Sequence, residues 1–248
     1  LHLGKQFNLR VASIQGGKAH NIIPRDAQVS FYLPTESMQT FETALKEIQT
    51  KWQSYLNPED LEYSFELMPS EPAPCLTSEG SEQLINLLSL FPHGARNYYW
   101  DASELLVRIR NNLLVFRLHA GKLFIQTSLR FFDRNEIGEL EQELTALGHL
   151  FQLMIQSSGY YPSWKPDLSN PLVEKLKDVY QKSFNAVLEI KAIHAGLECG
   201  ILTEKLGNDI QAISLGPTIK GAHSPTESLH IESTNQFWQL LTGFLKVL

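Results

Sequence analysis

Two glycine-rich segments toward the end of the sequence carry side chains that can do chemistry. One is Ile193-His194-Ala195-Gly196-Leu197-Glu198-Cys199-Gly200, and the other runs from Ser214 through Gly216, Pro217, Gly221 and His223 to Glu227. Each follows a short apolar run of buried-strand type and turns at glycine, and functional residues of α/β sheets gather at the carboxyl ends of strands. A carboxylate such as Glu198 can hold a substrate ammonium, and a neutral imidazole such as His223 can bind zinc. The same glycines serve equally well as plain turns with His223 on the surface, and the spacing leaves both readings open. The other histidines (His2, His20, His93, His119, His149, His194 and His230) form no H-E-x-x-H pattern, and neither G-x-S-x-G nor a P-loop is present. His119 at a turn and His149 on a helix read as ordinary polar positions. Pattern alone therefore assembles neither a metal site nor a catalytic triad. The two cysteines, Cys75 and Cys199, have no metal-type spacing and fit a reducing cytoplasm.

Such residues need elements to hold them. Leu9 to Ile14 reads as a strand punctuated by Gly16-Gly17. Ala27, Val29, Phe31 and Leu33 alternate with Gln28, Ser30 and Tyr32 as a half-buried strand closed by Pro34. Met38, Phe41, Leu45, Ile48, Trp52 and Tyr55 step by three and four, which predicts a helix capped by Thr35 and ended by Asn57-Pro58. Leu61, Tyr63, Phe65 and Leu67 alternate as a further strand, and Pro69, Pro72 and Pro74 mark a loop. Leu84, Leu87, Leu88 and Phe91 predict a short helix. Leu105 to Ile109, Leu113 to Leu118 and Lys122 to Phe132 read as strands, with His119-Ala120-Gly121-Lys122 as a hairpin turn. Ile137, Leu140, Leu144, Leu147, Phe151 and Met154 predict a long helix, opened by a capping box of Asp133 and Glu136 and closed at Gly159. Strand, strand, helix, strand occurs twice, so residues 1 to 163 are expected to form one α+β module, a sheet with helices on one face.

After the segment Tyr160 to Asp167, Asn170 caps a helix with Pro171 at its first position, and Leu172, Leu176, Val179 and Tyr180 face its core. Val187 to Ile193 and Ile210 to Leu215 are expected as buried strands. A last helix is expected from Ser233, with Gln236 as its capping-box partner, to Leu248. Residues 165 to 248 thus alternate helix and strand, an α/β pattern too short for a complete doubly wound domain. With no methionine at position 1, the sequence reads as an internal piece of a longer chain.

At 248 residues, 43% apolar and 19% charged, the composition is that of a soluble globular protein of one large domain or two ordinary ones. The net charge of −6 argues against a general nucleic-acid or anionic-membrane binder, which needs a basic face. No apolar run approaches the ~18 residues of a membrane span.

Four strings, spread in order over nearly the whole sequence, go further than composition: GGKAHNIIPRDA at 16–27, YPSWKPD at 161–167, HAGLECG at 194–200 and GPTIKGAHSP at 216–225. They resemble the aminoacyl-histidine dipeptidases (Xaa-His dipeptidases) of the M20 metallopeptidase family. HAGLECG followed by G-P-T-x-x-G-x-H-S-P is highly specific. The resemblance implies an α/β catalytic domain with an inserted lid. Residues 1–163 match the lid, or dimerisation, domain, and 165–248 match the C-terminal part of the zinc-peptidase catalytic domain. It further implies a cytoplasmic homodimer, joined through the lid, that hydrolyses dipeptides. In such enzymes two zinc ions share a bridging water and polarise the scissile carbonyl, and a glutamate acts as general base.

Residue by residue, the resemblance implies the following. Of the metal ligands only the histidine of GAHSP maps here, as His223. No catalytic residue maps here, so these 248 residues alone are expected to bind zinc weakly and hydrolyse nothing. Glu198 matches the glutamate that receives the substrate's α-amino group. Asn21 falls in the Asn-x-x-Pro lid motif, where the asparagine points at the substrate. Arg130 matches the lid arginine that clamps the terminal carboxylate, a task suited to a planar two-pronged donor. Asn112 keeps a lid asparagine, but Arg108 and Arg110 stand where relatives commonly carry an acidic and hydroxyl pair, and Phe131 stands in place of a common serine. Two rivals accompany this reading. One is a non-catalytic binding or regulatory relative that keeps the lid and has lost the metal centre. The other is an M20 deacylase of N-acyl amino acids, against which Glu198 argues, because an acylated nitrogen carries no ammonium.

Overall fold

The computed structural model describes residues 2–19, 24–56, 64–101, 104–164, 167, 169–191, 197–207, 210–222 and 226–248. In chain order its elements are α1 (His2–Gln6), β1 (Arg10–Gly16), β2 (Ala27–Tyr32), α2 (Met38–Gln53), α3 (Ser78–Leu90), β3 (Gly94–Asp101), β4 (Glu104–His119), β5 (Lys122–Phe131), α4 (Gly138–Leu150), α5 (Pro171–Phe184), α6 (Glu198–Leu206), β6 (Ile219–Lys220), β7 (Ser228–Leu229) and α7 (Ile231–Leu245). The fold is the expected mixture of helices with antiparallel sheet. It divides into two compact units. The first holds Leu1–His93, Asn112–Ser128 and Leu140–Ile155; the second holds Gly94–Asn111, Leu129–Glu139 and Gln156–Leu248. Strands β4 and β5 each contribute to both.

In the first unit, β1 pairs antiparallel with β2, Ile14 opposite Val29, and on its other side with β4, Ile14 opposite Leu118. β5 also pairs with β4. Ala120 and Gly121 form the expected turn between them, both with positive φ (48° and 72°), the geometry that matches the twist of a two-residue hairpin. Helix α3 packs on this sheet through a core of Val11, Leu84, Phe116 and Leu118. Thr77 caps α3 by accepting from the Gly80 amide, and buried Ser81 accepts from the Val11 amide at 3.0 Å, tying helix to strand. Gly17 lies at φ +75°, and a Cβ there would stand 1.7 Å from the Leu114 carbonyl oxygen. Only glycine lets the chain leave β1 so close to β4.

Several expectations change here. β2 lies at the sheet edge, so Val29 is exposed, and of its alternating apolar residues only Phe31 and Leu33 are half-buried. Helix α2 is preceded by a 3-10 turn at Thr35–Ser37 and has no side-chain cap, so Thr35 does not cap it. Its stripe buries Phe41 against the rings of Phe7 and Phe31, while Trp52 and Tyr55 are exposed and contact each other. Phe65 and Leu67 lie in irregular chain rather than a strand, and Leu61 and Tyr63 fall outside the described residues. Helix α4 stops at Leu150. Gln152 turns to φ +54°, the Leu153 amide donates to the Gly148 carbonyl, and Ile155 docks where Gly148 has no Cβ. Met154 is consequently 97% exposed rather than part of the helix stripe.

In the second unit, β3 forms an antiparallel hairpin with the first half of β4, from Gly94 opposite Asn111 to Asp101 opposite Glu104. This strand escapes sequence reading because Tyr98-Tyr99-Trp100 is an aromatic run without alternation. Asp133 caps a 3-10 turn at Arg134–Glu136 by accepting from the Asn135 amide, and Glu136 pairs with Arg108 instead of completing a capping box. Helices α5 and α7 share a core of Leu176, Val179, Leu240 and Phe244. Asn170 caps α5 as expected and also donates to the Ala212 carbonyl at 2.9 Å. Helix α7 begins at Ile231, earlier than expected, because the His230 imidazole accepts from the Ser233 amide. The expected strands at 187–193 and 210–215 are absent among the described residues; Val187 is 88% exposed, and Ile213 and Leu215 pack on the α5–α7 pair. A strand needs a ladder partner for its amides and carbonyls. Among the described residues of this stretch, the ladder formed is β6 with β7, Ile219 opposite Leu229.

Candidate active site

Glu198 opens helix α6. Leu197 precedes it in extended conformation without a side-chain cap, so the exposed Glu198 carboxylate stands at the positive end of the helix dipole. Gly200 is buried two residues further on. A Cβ there would lie 2.6 Å from the Pro162 carbonyl oxygen, so its absence lets the 160–163 segment run directly against the helix. The far end of the same segment is fastened too: the Tyr160 hydroxyl donates to the Glu204 carboxylate at 2.9 Å. That hydrogen bond, more than burial, pushes the Tyr160 phenol above its ordinary pKa. Ser163 donates to the Phe132 carbonyl at 2.8 Å. Burial, and then the Glu198 charge, push the Cys199 thiol above its ordinary pKa.

Arginines dominate the strand side of this unit. Arg108 donates to Glu136 through Nε and Nη2, a two-pronged ion pair. Arg110 and half-buried Arg130 lie close enough for their charges to interact. Burial first, and then Arg130, lower the Arg110 pKa. Asn111 is fully buried, while Asn112 is half-buried, and its carbonyl accepts from the Thr127 hydroxyl at 2.8 Å.

The expected site residues therefore divide. Glu198 and Arg130 belong to the second unit and Asn112 to the first. Asn21 and His223 lie outside the described residues. Arg110, known from sequence only as a departure in charge, emerges as the neighbour of Arg130; the signal available beforehand was the density of arginine on two strands joined by a short turn. Among the described residues no three His, Cys, Asp or Glu side chains cluster to hold a metal. The His93 and His230 Nδ1 atoms are both engaged as acceptors, from the Leu113 and Ser233 amides. These donors do not fit a catalytic zinc, which usually takes three protein ligands. A cleft of about 550 Å³ in the first unit, lined by Lys5, Gln83, Asn86, Ser89, Leu150 and Gln152, includes none of the expected residues and has no acid in its wall.

Comparison with known proteins places this geometry. Residues 2–60 match the M20 model described as a peptidase dimerisation domain. The chain is 31% identical, over 248 residues, to the cytosol non-specific dipeptidase of Escherichia coli K12, covering 98% of this chain and 50% of that protein. The chain is similar to this dipeptidase over about half its length, and to the M20 dimerisation domain over residues 2–60. The crystal structure of the aminoacylhistidine dipeptidase from Vibrio alginolyticus superposes with a TM-score of 0.79 at 26% identity, over 99% of this chain and 50% of the other. The chain thus spans about half the length of the proteins it matches. Among its described residues no helix is long and apolar enough to cross a membrane.

Proposed function

We propose that the protein to which this chain belongs hydrolyses unblocked dipeptides with zinc in the cytoplasm, Xaa-His dipeptides being the reference substrates. Residues 1–163 act as its lid and dimerisation domain, and 165–248 as the C-terminal part of its catalytic domain. The match of residues 2–60 to a dimerisation domain supports a homodimer. The observation that carries the reading is Glu198, an exposed carboxylate on the first residue of a helix braced at Gly200 and Glu204. A carboxylate so held suits a substrate ammonium. Arg130 receives the substrate's terminal carboxylate, and Asn21 and Asn112 contact the substrate from the lid. His223 supplies one zinc ligand. Of the family's metal ligands the resemblance maps only His223 here, and on that ground the 248 residues alone are expected to turn over nothing.

Two measurements test this. Purified chain with added zinc is expected to hydrolyse no Ala-His and to retain less than one zinc per chain after dialysis; turnover would overturn the claim of incompleteness. A chimera with the part of the Escherichia coli dipeptidase that this chain does not cover is expected to cleave Ala-His and to lose this on Glu198→Gln. A chimera that cleaves N-acetyl amino acids and leaves dipeptides intact would replace the reading with a deacylase.

A further inference from the structure

The core face of α3 carries Ser81, Leu84, Ile85 and Leu87. Beside it, Gln83, Asn86 and Leu90 follow one another at spacings of three and four, so they share a face of the helix. They line the cleft of about 550 Å³ in the first unit, together with Lys5 of α1 and with Leu150 and Gln152 at the end of α4. A volume of this size holds a small organic ligand. The amides of Gln83, Asn86 and Gln152 offer both donors and acceptors, the complement of a peptide group. Among the described residues of the wall, the full charge is the Lys5 ammonium. Leu90 and Leu150 are 58% and 67% exposed, and both also line an adjoining cleft of about 300 Å³ with Pro92, Glu143, Ala146 and Leu147. Lys5 lines only the first cleft and Glu143 only the second. A carboxylate is therefore drawn to the first, with apolar surface at the boundary of the two. Gln152 adds an independent observation. It is held at φ +54°, a left-handed conformation that glycine or asparagine adopts with less strain. The turn that ends α4, where the Leu153 amide donates to the Gly148 carbonyl, requires that conformation but not a glutamine. Strain kept at a cleft-lining side chain points to a use for that side chain.

We propose that this cleft binds the C-terminal end of a peptide whose last residue is apolar. The free carboxylate is held by Lys5, the peptide groups by the Gln83, Asn86 and Gln152 amides, and the last side chain by Leu90 and Leu150. None of the residues assigned to dipeptide hydrolysis takes part, so the two readings stand or fall separately.

The test is a titration of the isotope-labelled 248-residue chain, followed by backbone amide chemical shifts, with Ac-Gly-Leu. That probe carries two peptide groups, one carboxylate and a leucine side chain, and its acetyl group leaves Glu198 no ammonium to bind. It is expected to bind with a Kd of about 1 mM or tighter, with shifts centred on residues 83–90 and 150–152. Its neutral C-terminal amide is expected to bind about threefold more weakly, the worth of an exposed ion pair, and Ac-Gly-Gly, which lacks the apolar side chain, about tenfold more weakly. Lys5→Gln is expected to erase the difference between acid and amide. Gln152→Gly relieves the left-handed strain, so it is expected to raise Tm while weakening Ac-Gly-Leu about threefold. Absence of shifts, shifts centred elsewhere, equal affinities for the three probes, an acid preference that survives Lys5→Gln, or unchanged affinity in Gln152→Gly would overturn the proposal. Octanoate binding more tightly than Ac-Gly-Leu would overturn it in favour of an aliphatic carboxylate.

Discussion

The brace under Glu198 can be tested by filling the space that Gly200 leaves. In Gly200→Ala the new methyl would meet the Pro162 carbonyl oxygen at 2.6 Å, with the Pro162 and Ser163 carbonyl carbons at 3.3 Å. Cβ contacts essentially never fall under 3.0 Å and are ordinary from 3.4 Å, so helix and segment must part by about 0.4–0.8 Å. The obstacle is backbone and has no rotamer through which to move aside. Overpacking of this kind costs ~1–3 kcal/mol, while alanine gains ~1 kcal/mol over glycine inside a helix. The net expectation is a loss of about 1 kcal/mol, concentrated in α6. Amide hydrogen exchange reads this locally: protection of α6 should fall about fivefold, while that of α3 in the first unit stays unchanged. Gly216→Ala, where an added Cβ meets nothing within 4 Å, is the control and should lie within about 0.5 kcal/mol of wild type. If Gly200→Ala instead strengthened α6, as an unencumbered helical glycine would, the close approach of residues 160–163 would be wrong. The brace of Glu198 would then fall with it.

Other expectations follow from the two cores and the tyrosine. Phe244→Ala should destabilise the second unit by ~3–5 kcal/mol in urea unfolding, and Leu245→Ala on the exposed face by less than about 0.5. Ser81→Ala strips the acceptor from the Val11 amide in a buried setting, so a loss of ~1–3 kcal/mol and faster exchange at Val11 are expected. For Tyr160, a folded pKa above the unfolded value of about 10 means that folding favours the neutral phenol. Its contribution is present below the unfolded pKa and is lost as pH rises through the higher folded one. Ultraviolet titration should show a late-ionising tyrosine that disappears in Tyr160→Phe and moves to lower pH in Glu204→Gln.

Local chemistry made much of the fold legible. The hairpin at Ala120-Gly121, the Asn170 cap and Pro171 start of α5, and the three-four stripe over Leu176 and Val179 all depend on residues a few positions apart. The failures were of another kind. Val187 to Ile193 and Ile210 to Leu215 have the composition of strands, but a strand is a relation between segments, and Ile213 and Leu215 met a helix pair rather than a ladder. The end of α4 was misplaced because the Gly148–Ile155 contact, which turns the chain back, outweighed the continuing apolar rhythm to Met154.

The candidate site divides the same way. The strings around Glu198 and His223 are enough to recognise a resemblance to the M20 dipeptidases, because motif and order are properties of the chain itself. That Gly200 exists for the Pro162 carbonyl, that Glu136 satisfies Arg108, and that the buried Arg110 Nε has no acceptor among the described residues were decided only by the tertiary structure. The first two join residues 38 and 28 positions apart, which meet only after folding, and burial, which sets the energy of an unpaired donor, does not exist in the unfolded sequence.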